Sequence, residues 1–136
     1  MPIPLSKLRQ TLWADFKRLA RLLHCLQLPH PMIPGSFYRL RTQCGKPSCH
    51  CAHGQPHTAW VLSRSEQGQS KLYSVPAPDR PRLKRLTAEY RRFQRARARW
   101  GKLTARLLRH IDAIEARRVQ PWPPPPRKTL KPRKQP

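Results

Sequence analysis

Cys44, Cys49, Cys51 and His57 follow one another as C-x4-C-x-C-x5-H. Three thiolates and an imidazole in one short irregular stretch suit a tetrahedral zinc ion, and four protein donors leave no open position for a reacting water. The expectation is a structural Zn(2+) site. Gly45 and Gly54 supply the left-handed backbone that tight turns around such an ion need, and the ion would replace the core this segment lacks. His57 suits the fourth ligand because it sits where the next strand begins, while His53, His50 and Cys25 are competing donors. Two cysteines one residue apart are poorly placed for a mutual disulfide. Cys25, beside an apolar helical stripe, reads as a small buried hydrophobe, and His24, His30 and His110, without ligand neighbours in sequence, read as surface or packing residues.

A second chemistry is carried by arginine. Counting Leu83 as the first position of a heptad, Arg85, Arg92, Arg99 and Arg106 recur every seventh residue, with Arg95, Lys102 and Arg109 beside them. Seven residues rise about 10.5 Å along a helix, so the four arginines span about 31 Å, close to one turn of a duplex. Arg80 to Arg118 holds 14 basic and 3 acidic residues, a net of +11, where a merely solvated helix would interleave the two signs. The planar guanidinium fork donates in pairs to phosphate oxygens, so the expectation is backbone binding to DNA or RNA without base readout. Tyr38, Trp60 and Tyr73 add rings that stack on unpaired bases or fill a core.

Catalysis is not expected. Asp15, Glu66, Asp79, Glu89, Asp112 and Glu115 are scattered singly, and Gly45-Lys46 lacks the rest of a phosphate loop.

These groups need elements to hold them. Leu5, Leu8, Leu12, Phe16, Leu19, Leu23 and Leu26 recur at spacings of three and four, which predicts an amphipathic helix from Leu5 to Leu28. The prolines of LPHPMIPGS end it. Ser36 to Cys44, His57 to Arg64 and Lys71 to Val75 read as three antiparallel strands, with a turn at Glu66 to Gln69 between the last two. Asp79 is placed to cap a second helix entered through Arg80-Pro81. That helix runs to about Arg118 on a stripe of Leu83, Leu86, Tyr90, Phe93, Arg97, Trp100, Thr104, Leu107, Ile111 and Ile114, which only Arg97 and Thr104 break. Gly101 within it suggests a kink or a close backbone approach. The proline-rich end, with Arg127, Lys128, Lys131, Arg133 and Lys134 and no acid, reads as a disordered basic tail that adds reach toward phosphate.

The fold class expected is therefore α+β: a small zinc-clipped antiparallel sheet between an N-terminal helix and a long basic helix that pack antiparallel. The chain divides as 1–35 helix and connection, 36–78 metal-knuckle sheet, 79–118 basic helix and 119–136 tail. Its 136 residues include 17 prolines and only 38% hydrophobic residues, which leaves one modest core. Lys and Arg number 29 against 6 Asp and Glu, a net charge of +23 that calls for a polyanionic partner. The rival is a scaffold that uses the heptad helix to pair with itself or with an acidic protein. Nothing at the start reads as an export signal. Pro29, Pro31 and Pro34 break the longest uncharged stretch, so no membrane span and a cytoplasmic location are expected.

Cys44-Gly45-Lys46-Pro47-Ser48-Cys49-His50-Cys51-Ala52-His53-Gly54 through His57, followed by Trp60, resembles a family of small bacterial proteins described only as a domain of unknown function. The resemblance covers roughly Pro34 to Arg92. Where that family continues from the histidine as Gly-Pro-aromatic, this chain has Thr58-Ala59-Trp60. The resemblance implies a shared fold and, more loosely, genes associated with mobile elements such as transposons; it implies no activity.

Overall fold

The structure, a computed structural model, describes residues 2–127. Helix α1 (Leu5–Leu26) is followed by strand β1 (Ser36–Thr42), a 3-10 turn (His50–His53), strands β2 (His57–Glu66) and β3 (Gln69–Ser74), a second 3-10 turn (Ala77–Asp79) and helix α2 (Arg80–Arg118). The class is α+β, as expected, with the elements in the expected order.

The sheet is antiparallel in the order β1-β2-β3. Pairing runs from Ser36 opposite Ser63 to Thr42 opposite His57, and from Val61 opposite Ser74 to Glu66 opposite Gln69. Gln67 and Gly68 form the β2–β3 turn with φ of 50° and 78°. A two-residue turn with both centres left-handed matches the strand twist and sets the register. Val61 and Leu62 in the middle of β2, and Val75 just past the end of β3, are buried, and the Phe37 and Trp60 rings stack 5.0 Å apart.

The two helices form an antiparallel hairpin. The Arg117 guanidinium near the end of α2 donates to the Ile3 carbonyl just before α1. At the other end the Ile33 amide donates to the Leu86 carbonyl at 3.1 Å. That bond anchors the proline-rich connection to the first turns of α2.

Each helical stripe keeps most of its expected residues inward and departs by one residue at a few positions, Phe16 and Leu23 on α1 and Arg97, Thr104 and Ile111 on α2. Leu8 and Asp15 are the buried residues of α1, while Phe16 and Leu23 are 53% and 49% exposed. On α2 Ala96 is buried and Leu103 and His110 are half-buried, whereas Arg97, Thr104 and Ile111 are exposed. The reason is periodic. Leu5, Leu8, Leu12, Asp15, Leu19, Leu22 and Leu26 alternate at three and four as well as the set containing Phe16 and Leu23, so spacing alone admits two phases. The observed phase brings the Asp15 carboxylate against Arg106 and His110 of α2.

Two further details depart from expectation. Asp79 occupies the cap position but makes no side-chain cap bond; its φ of −91° and ψ of −12° are helical, whereas a capping residue needs extended backbone to turn its oxygen onto the following amides. Gly101 lies inside an uninterrupted helix, and a Cβ built there meets nothing within 4 Å, so no backbone approaches it closely. Among the described residues, no helix is long and apolar enough to cross a membrane.

Candidate metal centre and basic flank

The β1–β2 ladder closes with Thr42 opposite His57, so residues 43–56 form the loop of that hairpin. The Cys49 amide donates to the Lys46 carbonyl and the Ala52 amide to the Cys49 carbonyl, each at 3.1 Å. These bonds fold the loop into two successive tight turns. Gly45 and Gly54 have φ of 77° and 89°, the left-handed conformations expected of them. The turns bring Cys44, Cys49, Cys51 and His57 together, with all four donor atoms within 4.8 Å of one another. Sulfur ligands of a tetrahedral zinc stand about 3.8 Å apart, given Zn–S bonds of about 2.3 Å. The Cys44 and Cys51 sulfurs are 3.4 Å apart, and Cys49 Sγ lies 3.1 Å from His57 Nε2. The cluster is thus able to hold a metal ion.

Its competitors are placed otherwise. The His50 ring packs edge-on against His57 at 4.7 Å and its Nδ1 is 3.8 Å from Cys49 Sγ, but His50 and His53 are outside the four-donor group. Cys25 is half-buried between the helices, in a small concavity with Leu28, Met32 and Phe93.

Electrostatics favour a cation at this point. The Lys46 amide, then the His57 ring and the sulfurs of Cys51 and Cys49, lower the Cys44 thiol from 9.0 to about 6. Cys49 is lowered chiefly by the Cys51 amide. Cys51 moves the other way. The Cys44 amide favours its thiolate, but burial and the sulfurs of Cys44 and Cys49 outweigh that bond and raise it. His57 is raised by Cys44 and then Cys49. Without an ion these groups compete for proton positions, because adjacent thiolates repel; a divalent cation relieves that repulsion.

Of the expected arginine face, Arg85, Arg92, Arg99 and Arg106 are exposed along α2, as are Arg95, Lys102 and Arg109. Two of them are engaged within the chain. Arg92 bonds Glu89 at 2.6 Å, and Arg106 Nε lies 3.1 Å from Asp15. Among the described residues, Arg85, Arg95, Arg99, Lys102 and Arg109 have no carboxylate partner. The structure also adds cations that the heptad count of α2 passed over. Arg18 and Arg21 of α1 line a groove with Arg99, Leu22 and Leu103, and Lys7 and Arg18 line the next one with Arg106. Their signal was present in α1, where Lys7, Arg18 and Arg21 flank the phase that contains Asp15. Arg127 is exposed beyond α2; Lys128, Lys131, Arg133 and Lys134 lie outside the described residues.

The aromatic candidates divide. Trp60 pairs with Arg39, and Tyr73 with Leu62, which is two residues from Trp60 on β2, so Trp60 and Tyr73 share a sheet face; Tyr38, paired with Val61, lies on the other. Trp60 is half-buried against Phe37, and Tyr73 carries the Arg64 guanidinium over its ring at 5.2 Å.

Fold and site together define a small α+β protein in which a Cys3His cluster able to bind metal closes a β-hairpin beside a basic helical hairpin. The chain belongs to the family described as Domain of unknown function (DUF6788), whose profile matches residues 12–85. The match reaches further into α1 than the cysteine motif suggested and stops at the second turn of α2. Most of the arginine-rich helix therefore lies beyond it. Comparison with curated proteins and with solved structures gives no match.

Proposed function

We propose that this protein binds DNA or RNA through backbone phosphates, along the flank of the helical hairpin where α1 and α2 both contribute cations. The observation that carries this reading is the convergence of Arg18, Arg21 and Arg99 on one groove, with Lys7 and Arg106 at the next. Two helices supplying like charge to one surface raise the local potential more than either alone, and a polyanion relieves the repulsion. Arg95, Lys102 and Arg109 widen the surface around α2, and the basic end of the chain extends it.

The metal in this reading is zinc with a structural role. Three sulfurs and a ring nitrogen would complete a tetrahedral shell, and the ion would hold together the loop end of the β1–β2 hairpin. The proposed role is accessory and non-catalytic. Asp15, Glu66 and Glu89 are tied up in ion pairs, which leaves them poorly suited to proton transfer. Service to a mobile element, in a bacterial cytoplasm, extends the proposal on the resemblance of the cysteine motif.

Salt titration tests the reading. Affinity for duplex DNA or structured RNA should fall linearly on logarithmic axes with salt, with a slope of about −0.9 per phosphate neutralised on B-form DNA. Binding to both that is indifferent to salt, or no binding at low salt, would overturn it.

A further inference from the structure

The side of the helical hairpin away from its basic grooves has a different character. Trp13 is 59% exposed and Phe16 53%. Their rings stack at 5.3 Å with 23° between planes. With Leu12 below them and Leu107 across from α2, they line an open concavity of about 350 Å³ whose remaining lining residue is Arg9. Leu23, seven residues after Phe16, and Ile111, four after Leu107, carry apolar surface onward in both helices and are 49% and 46% exposed. This surface is a consequence of the helical phase. Asp15 faces α2, so the aromatic next to it does not. An exposed apolar face of this kind marks an interaction site.

Charge selects the occupant. Arg9 borders the concavity and the Lys17 ammonium sits 5.8 Å over the Trp13 ring; none of the lining residues is acidic. A second copy docked by two-fold symmetry would set the same cations around one apolar seam, on chains that each carry +23. Duplex nucleic acid offers phosphate but keeps its bases stacked inside, with no apolar stripe to fill the groove. We propose that this face docks an acidic amphipathic helix of another protein, its apolar side chains between Trp13, Phe16 and Leu107 and its carboxylates on Arg9 and Lys17. The docking face and the basic grooves lie on opposite flanks, so one chain can hold a protein and a polyanion together.

The test uses the full chain and three labelled synthetic peptides, read by fluorescence anisotropy. One is an amphipathic helix with Leu at i, i+3, i+4 and i+7 and Glu elsewhere. The second has the same composition with the Leu positions scrambled, and the third has Lys for Glu. The first should bind at least about tenfold more tightly than the other two, and Trp13→Ala should weaken it by about tenfold or more, as truncation of an interface anchor does, with duplex DNA affinity unchanged. Phe16→Gln provides an independent reading should Trp13→Ala lower the melting temperature. Equal binding of the scrambled acidic peptide would reduce the effect to net charge and overturn the proposal. So would sedimentation showing a dimer that Trp13→Ala dissociates, since the occupant would then be a second copy.

Discussion

Asp15 of α1, with no solvent exposure, lies 3.1 Å from the Arg106 guanidinium of α2. Arg18 bonds its other oxygen at 3.2 Å, and His110 Nδ1 approaches at 3.2 Å without hydrogen-bond alignment. One carboxylate among three basic groups thus stands in the apolar seam of the helical hairpin. Such a group gives little net stability, because desolvation offsets the attraction, but it penalises the alternative phase in which Asp15 and His110 would lose each other. Arg106→Ala should cost about 2 kcal/mol in urea unfolding, the scale of an under-compensated buried polar group. Adding Asp15→Leu and His110→Leu to Arg106→Ala should recover most of that loss, since a matched apolar pair commonly replaces a buried ion pair without penalty.

Gly101 offers a gain in the opposite direction. It is exposed in a continuous helix with open space where a Cβ would stand. Gly101→Ala should raise stability by about 0.5–1 kcal/mol, from helix propensity and a less flexible unfolded chain. A lower melting temperature would show that the glycine is needed there.

Metal removal should be felt at the hairpin first. Elemental analysis of purified protein should give one zinc per chain, and chelation should increase amide hydrogen exchange from residue 42 to 57 before it affects the helices. Cys51→Ser should mimic chelation, because Cys51 is the ligand buried to 1% exposure. A chelated protein with unchanged exchange would remove the structural role.

The thiols of metal-free protein should titrate unequally. Cys44 is lowered from 9.0 to about 6, so alkylation of this exposed thiol should show an inflection near pH 6 that Cys44→Ser abolishes. The linkage sign follows. A thiol lowered by folding adds stability that is complete above pH 9, declines as pH falls toward 6 and is absent below. Cys51, raised instead, contributes in the opposite sense, so its neutral thiol favours the fold at lower pH.

Arginines on the basic flank should not be equivalent. Arg99, with no carboxylate partner among the described residues, should give a salt slope smaller by about 1 when replaced by Ala, and Arg21 should act similarly. Arg92→Ala, whose guanidinium already bonds Glu89, should change the slope much less. Equal effects at Arg92 and Arg99 would place the nucleic acid elsewhere on α2.

The metal cluster was legible from spacing because it is local. Cys44, Cys49 and Cys51 fall within eight residues, and glycine and proline positions leave a chain that short few ways to turn. The three antiparallel strands and the turn at Glu66 to Gln69 were legible for the same reason, as was the span of α2 from Arg80 to Arg118.

His57 was readable as the fourth ligand from its place at the start of β2, but setting aside His50, His53 and Cys25, and the facing of the helices, required the fold. His57 entered the cluster because strand pairing brought Thr42 opposite it, a non-local fact that left His50 beside the site. Leucine at every third and fourth residue determined that α1 would be amphipathic, but Phe16 and Asp15 were equally compatible with that rhythm. Packing against α2 decided between them, since only there does the Asp15 carboxylate meet Arg106 and His110. That decision turned Trp13 and Phe16 outward and set Arg18 and Arg21 beside Arg99, because a helix rotated to bury one side chain carries every other one around with it.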